Sequence, residues 1–143
     1  MSQTLTPAAD FNKKLARAMS EAELQKEVNN LLTANGWRWT HFRTAITTAG
    51  HYVTAISGDK GFPDVVAVRP PRLVFIELKT ERGQMSEDQL EWMGNLSMVN
   101  RAGEEWTETE GAVVTGGIEV YLWKPMDLLD GSIALALSTG SQP

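Results

Sequence analysis

The segments GFPDVVAV (residues 61–68) and LVFIELK (residues 73–79) decide the fold, because each is a short apolar run of the length of a β-strand. Pro70 and Pro71 lie between them and interrupt regular structure, so the sequence predicts two strands separated by a turn. LVFIELK is apolar nearly throughout, which is typical of a strand buried on both faces. We therefore expect it to be a central strand.

Two acids and a lysine occupy these otherwise apolar strands. Side chains alternate between the two faces of a strand, so Phe75, Glu77 and Lys79 should share one face. Asp64 begins the other strand directly after the turn Gly61-Phe62-Pro63, with 12 residues between the two acids. If the strands pair, Asp64 and Glu77 can converge at one edge of the sheet and leave a gap that fits a divalent cation.

This set of residue types has a chemical explanation. Mg²⁺ prefers hard oxygen ligands and keeps several waters, so one or two carboxylates are enough to hold it. The metal would polarise a phosphodiester and acidify a bound water. Lys79 could then orient that water and neutralise charge developing on the phosphate, and the backbone carbonyl of Leu78 could add a ligand. The structural alternative is an ion pair of Glu77 with Lys79, with Asp64 as a strand-start residue.

Two helices are marked by the same capping pattern. Ser20 and Glu23 form a capping box before the apolar positions Leu24, Val28, Leu31 and Leu32, and Asn35-Gly36 ends this helix. Ser86 and Gln89 repeat the box before a second helix, whose expected buried positions are Trp92, Met93, Leu96 and Val99.

The remaining segments complete a mixed pattern. Residues 37–58 predict one or two strands or a hairpin, residues 100–111 an acidic loop, and Ile118–Trp123 another strand. Pro125 should open a short helical turn, and an apolar stretch follows at Ile133–Leu137. The predicted fold class is α/β, with a mixed central β-sheet flanked by helices.

Bulk properties limit the class of protein. A chain of 143 residues without cysteine fits one domain without disulfides or thiolate metal sites, expected over residues 20–143 behind a flexible arm at 1–19 with a short helix over 11–18. No apolar run is long enough to cross a bilayer, so we expect no membrane association and a cytoplasmic location, in the host if the gene is carried by a phage. The net charge is −5, and residues 1–80 carry 10 basic against 7 acidic residues while residues 81–143 carry 3 against 11. A surface that faces phosphates should therefore use mainly the first half.

The stretch GDKGFPDVVAV–LVFIELKTERGQMSEDQ resembles the PD-(D/E)xK nuclease superfamily. It is most similar to the virus-type replication-repair nuclease (VRR-NUC) domain, a relative of archaeal Holliday junction resolvases, from about Ser20 to Trp123. The resemblance implies a restriction-endonuclease-like core with Asp64, Glu77 and Lys79 as catalytic residues. It also implies an acid on the first helix near the metal, which would be Glu21 or, second, Glu27, and a role for Gln89 in setting the active site.

The expected function is that of a metal-dependent DNA endonuclease using Mg²⁺, with Mn²⁺ as a substitute, on branched or structured DNA in replication, recombination or repair. A four-way junction would call for a homodimer, whereas a flap nuclease could be a monomer. Lys60, Arg43 and Arg82 are candidate phosphate contacts, although the acidic second half departs from the basic face usual in junction resolvases. The alternative is a catalytically inactive nuclease-fold module that binds DNA or a partner protein.

Overall fold

A computed structural model describes residues 7–42, 45–46, 49–50, 52–53, 57–110 and 118–140 of the chain. The helices are α1 (Pro7–Ala18), α2 (Glu21–Ala34), α3 (Glu87–Glu110), α4 (Pro125–Leu129) and α5 (Ser132–Ser138). The strands are β1 (Arg38–His41), β2 (Ala45–Ile46), β3 (Tyr52–Val53), β4 (Val65–Arg69), β5 (Arg72–Leu78) and β6 (Ile118–Trp123).

The chain divides into two compact units, each discontinuous in sequence. Unit 1 comprises Met1–Asn35, Leu78–Gln84 and Leu122–Pro143, and unit 2 comprises Gly36–Glu77 and Met85–Tyr121.

The helices of unit 1 follow the capping pattern of the sequence. The Ser20 hydroxyl accepts the Glu23 N–H at 3.1 Å, and the Ser20 N–H donates to the Glu23 carboxylate at 3.4 Å, so the predicted capping box is confirmed. Leu24, Val28 and Leu32 are fully buried along α2, which ends at Ala34 as expected.

The rest of unit 1 is also helical. Helix α1 begins at Pro7, four residues before the short helix expected over 11–18, and it contacts α4. Pro125 opens α4 as predicted, because proline at the first helical position lacks only an N–H that would have no helical partner. The apolar stretch at Ile133–Leu137 forms α5, with Ile133 and Leu137 buried.

The main sheet, which lies mostly in unit 2, has the strand order β1-β4-β5-β6. It is a mixed sheet, with antiparallel pairing of β1 with β4 and of β4 with β5. The expectation that LVFIELK is central is confirmed, since β5 has β4 on one side and β6 on the other. The predicted fold class, a mixed sheet with flanking helices, is confirmed as well. Within 37–58, β1 joins this sheet and β2 pairs with β3 in an antiparallel ladder.

Two predictions for the second half of the chain are wrong. Residues 100–110 continue α3 to Glu110 instead of forming a loop. The segment NRAGEEWTETE contains arginine, alanine and several glutamates, which have high helix propensity and outweigh the cost of about 1 kcal/mol for its single glycine. Earlier on the same helix, Val99 is 53% exposed and does not belong to the buried stripe assigned to it.

A charged cluster that the sequence analysis did not anticipate lies at the start of β5. The Arg72 guanidinium donates two hydrogen bonds to the Glu119 carboxylate on β6, at 2.6 and 2.8 Å, and Tyr121 donates a third at 2.7 Å. The guanidinium carbons of Arg69 and Arg72 lie 4.6 and 4.9 Å from the centroid of the buried Trp37 ring. The cluster therefore joins β4, β5, β6 and the residue that precedes β1 through an ion pair and two cation–π contacts.

Burial and hydrogen bonding shift the protonation equilibria of this cluster. Burial raises the pKa of Tyr121 to about 12, and its hydrogen bond to Glu119 acts in the same direction. Burial alone would raise the pKa of Glu119 too, but the hydrogen bonds from Arg72 and Tyr121 outweigh it and hold this pKa below its ordinary value of 4.5. A carboxyl whose pKa is depressed in the fold contributes stability above its unfolded pKa and loses it as the pH falls through the folded pKa.

The substitution Glu119→Gln should lower the free energy of unfolding at pH 7 by about 2 kcal/mol, because it removes the charge from hydrogen bonds donated by a cation. The difference from the wild type should shrink as the pH falls below 4.5, where the carboxyl of the unfolded chain takes up a proton, and it should vanish once the pH has fallen through the lower pKa of the folded state. Urea denaturation followed by tryptophan fluorescence at several pH values measures this. Glu91→Gln, an exposed glutamate of α3, is the control, and a Glu119→Gln deficit that is constant with pH would contradict the assignment.

Candidate active site

The strand register brings Asp64 and Glu77 together. The β4–β5 ladder pairs Val65 with Ile76, and extending it by one residue sets Asp64 opposite Glu77. Directly opposed residues of antiparallel strands have their side chains on the same face. The Asp64 N–H also donates to Oε2 of Glu77 at 3.2 Å, so the two chain segments stay close at this position. Both carboxylates thus belong to one face at one end of the β4–β5 pair.

Glu77 is buried although it lies on the less covered face of the sheet. Its neighbours on that face, Val66 and Phe75, are half-buried, whereas Glu77 is only 1% exposed. Burying an ionised carboxylate costs several kcal/mol unless hydrogen bonds or a cation compensate. The Asp64 N–H supplies one such bond to Oε2, and the Gln89 amide supplies another to Oε1 at 2.8 Å.

Gln89 performs two tasks with the two ends of one amide. The side-chain carbonyl oxygen of Gln89 accepts the Ser86 N–H at 2.9 Å, and the backbone N–H of Gln89 donates to the Ser86 hydroxyl at 3.2 Å. These two bonds form the capping box predicted for the start of α3. The amide nitrogen is left to donate to Glu77, so the cap and the contact with the site coexist. The start of α3 is thereby tied to the end of β5.

The turn before Asp64 packs tightly on the start of α3. Gly61 has φ +95°, a conformation that favours glycine. A Cβ at this position would lie 2.7 Å from both the carbonyl carbon and the Cβ of Asp88, so only a glycine allows this approach. The requirement explains the glycine of the GFPD segment in terms that the sequence alone did not give.

Trp92 and Phe62 hold the same turn from the side of the helix. The Trp92 indole N–H donates to the backbone carbonyl of Lys60 at 3.1 Å. The Phe62 ring meets Trp92 and Phe75 edge to face, with centroids 5.0 and 6.0 Å apart. Together these contacts fix the segment that carries Asp64 relative to the helix that carries Gln89.

The candidate phosphate contacts are placed less centrally. The Lys60 side chain is 78% exposed, and its ammonium lies 3.5 Å from the carboxylate of Asp88 in a surface ion pair of small energetic weight. Arg82 is exposed in unit 1, and Arg43 lies outside the described residues.

The other predicted site residues belong to unit 1. Leu78 is the last residue of β5 and is fully buried, and Lys79 follows it, half-buried, with its N–H donated to the Trp123 carbonyl at 3.1 Å. Glu21 is the first residue of α2, and both Glu21 and Glu27 are exposed. The roles of these residues stay predictions, as does the choice between the two glutamates.

The donor set of Asp64 and Glu77 fits a hard divalent cation. Carboxylate oxygens are hard ligands, and each has two lone pairs that can accept a hydrogen bond or bind a cation. Among the described residues, no group of three or more His, Cys, Asp or Glu is arranged to hold a metal ion. Two carboxylates are nevertheless sufficient for Mg²⁺, which keeps much of its shell as water.

In comparisons with known proteins, no family model and no curated protein matches this chain. Within the residues that the structure describes, no helix is both long and apolar enough to span a bilayer.

Three residues of the site region were missed by the sequence analysis as contributors to its geometry: Gly61, Trp92, and Phe42, whose N–H donates to the Asp64 carbonyl at 2.9 Å. Trp92 was assigned only to a buried stripe, Gly61 only to a turn, and Phe42 received no role. Gly61 could have been singled out by its place before Phe62-Pro63-Asp64, because a glycine that precedes a functional acid often marks a close approach. No sequence pattern distinguishes Phe42 or Trp92 from ordinary core aromatics.

Gly61→Ala should destabilise the fold by about 1–3 kcal/mol more than Gly58→Ala, because both glycines have positive φ but only the first would clash. Gly58 has φ +94° and nothing within 4 Å of an added Cβ, so it reports the backbone strain alone. Chemical denaturation of the two variants measures the difference. Equal losses would mean that the turn does not need its close approach to Asp88.

Proposed function

We propose that this protein is a metal-dependent DNA endonuclease of the PD-(D/E)xK kind, related to the VRR-NUC domain. The observation that carries the proposal is the buried carboxylate of Glu77, with Asp64 opposite it on the same sheet face and Gln89 hydrogen-bonded to it. An acid in this position costs folding energy, and catalysis explains why it is there. The E-x-K spacing and the PD pair of the sequence supply the chemical identity.

The residues of the proposed site would have different roles. Asp64 and Glu77 would hold Mg²⁺, with the Leu78 carbonyl as a further ligand. When bound, the ion would polarise the scissile phosphodiester and increase the acidity of a water molecule. The Asp64 N–H and the Gln89 amide orient the Glu77 carboxylate, and hydrogen bonds of this kind position a ligating group for its metal.

Lys79 has the role of an ammonium group acting on the phosphate and the attacking water. It follows Glu77 by two residues, as the E-x-K motif requires. Its charge would offset the negative charge that develops on the phosphate oxygens during hydrolysis.

The proposed substrate is inferred from the resemblance to nucleases and from the net charge of the protein. DNA is the substrate of the nucleases that the motif resembles, and branched or structured DNA is that of the VRR-NUC relatives. A net charge of −5 does not favour a protein that holds long duplex by phosphate contacts alone. Homodimerisation belongs to the proposal only if the substrate is a four-way junction.

Cleavage of DNA should require Mg²⁺ or Mn²⁺ and should fall by more than about 100-fold in Asp64→Asn and Glu77→Gln, because loss of a metal-held charge removes several kcal/mol of transition-state stabilisation. The assay compares linear duplex, single-stranded, flap and four-way junction DNA, each with either metal or with EDTA. Asp59→Asn is the matched control, an exposed acid on the same segment as Asp64.

The substitution Lys79→Met is tested in the same cleavage assay, with Lys26→Met, at an exposed lysine, as its control. Turnover should fall by about 100-fold or more while metal binding is retained, since the ammonium acts on the phosphate and not on the metal. Metal-dependent cleavage that survives both acid substitutions would refute the site. Binding of DNA without cleavage under any metal would favour the inactive module instead.

Gln89→Ala should weaken metal binding by about 10–100-fold, because the Glu77 carboxylate loses a group that orients it. Ser86→Ala is the matched control, since it removes the capping partner of Gln89 without removing the donor to Glu77. Titration of Mn²⁺ followed by calorimetry, together with thermal unfolding, separates the two effects. If both variants lose stability equally and neither loses metal affinity, Gln89 is a helix cap only.

A further inference from the structure

Phe42 is a large apolar side chain displayed beside the candidate site. It follows the last residue of β1, and the residue is 45% exposed. The Phe42 N–H donates to the Asp64 carbonyl at 2.9 Å. The β1–β4 ladder pairs His41 with Val65, and its continuation by one residue sets Phe42 opposite Asp64. Phe42 therefore lies on the face that carries the Asp64 and Glu77 side chains.

An aromatic neighbour holds the Phe42 ring in place. Phe62 meets it edge to face, with centroids 5.4 Å apart and planes at 82°, and Phe62 is itself packed against Phe75 and Trp92. Edge-to-face contacts of this kind contribute about 0.5–1.5 kcal/mol beyond burial. A half-exposed ring that an aromatic neighbour holds in place is preorganised to stack on another flat group.

The charges of the protein make stacking the better source of affinity. The net charge is −5, and the Lys60 ammonium near the Asp64 turn is already close to the Asp88 carboxylate. Contacts with phosphates therefore supply less binding energy than in a basic nuclease. Stacking of a base on an aromatic ring is worth about 1–3 kcal/mol and needs no charge.

We propose that Phe42 stacks on an unpaired nucleobase next to the phosphodiester that is cleaved at Asp64 and Glu77. The substrate class is then DNA with unpaired nucleotides at the cut, either a single strand or a flap, and not continuous duplex. A base inside a duplex has both of its faces covered by neighbouring bases. Only an unpaired base therefore has a face that can stack on the Phe42 ring. This inference rests on the proposed function and names its substrate.

Binding is measured first, because it does not depend on turnover. Fluorescence anisotropy in Ca²⁺ gives the Kd for a labelled single strand, for a flap and for the duplex of the same sequence. Phe42→Leu should weaken binding of the single strand and the flap about tenfold and leave the duplex nearly unchanged, because leucine keeps apolar volume without a π-face. Phe42→Trp should restore the affinity. Phe11→Leu, a substitution of the other strongly exposed phenylalanine of the described chain, should have no effect.

Cleavage of the same three DNAs in Mg²⁺ then separates the two proposals. A wild type that binds single strands through Phe42 but cuts nothing would refute the nuclease and leave the stacking intact. A wild type that cuts duplex as well as flap, with Phe42→Leu unaffected, would refute the stacking and leave the nuclease intact. Equal losses on duplex and single strand, or absence of single-strand binding, would overturn the stacking as well. So would a change in molecular mass of Phe42→Leu in solution, since a second copy of the chain would then be what covers the ring.

Discussion

The hydrogen bonds to the carboxylate of Glu77 are the constraint on which unit 2 is organised. Asp64 reaches Glu77 through its backbone N–H, and Gln89 reaches it through its side-chain amide. One buried oxygen pair thus connects the beginning of β4, the end of β5 and the start of α3, which are far apart in sequence. The close approach of Gly61 to Asp88 and the hydrogen bond from the Trp92 indole further fix the turn before β4 against the start of α3.

Strand β5 has a buried charged residue near each of its ends, and the two residues are stabilised differently. Arg72, at the start of β5, is matched by the Glu119 carboxylate in an ion pair that a third hydrogen bond completes. Glu77, near the end, receives its two described hydrogen bonds from neutral groups. An ion pair that neutralises itself is a sound structural element but a poor binding site. The Glu77 end of β5 is thus tied to the segments that carry Asp64 and Gln89, whereas the Arg72 end is tied to β6.

Much of this arrangement could be predicted because it depends on local rules. The alternation of side chains along LVFIELK placed Phe75 and Glu77 on one face, and the S-x-x-E and S-x-x-Q spacings located the starts of α2 and α3. The continuation of α3 through residues 100–110 was missed because a glycine among acids resembles a loop, although its neighbours favour helix. The Arg72–Glu119 pair joins residues 47 apart, and Phe42 gains its position from a cross-strand register. Long-range pairings of this kind leave no pattern in a single sequence.

The two sets of hydrogen bonds made by Gln89 couple the opening of the first turn of α3 to the Glu77 side chain. Because the Gln89 side-chain amide both caps α3 and donates to Glu77, fraying of the first turn of the helix breaks one of the hydrogen bonds to the carboxylate. Local opening of residues 86–90 is then coupled to the order of the Glu77 side chain. A ligand that draws on Glu77 would lower the population of the open form, so the backbone amides of that turn would exchange their hydrogens with solvent more slowly while the site is occupied.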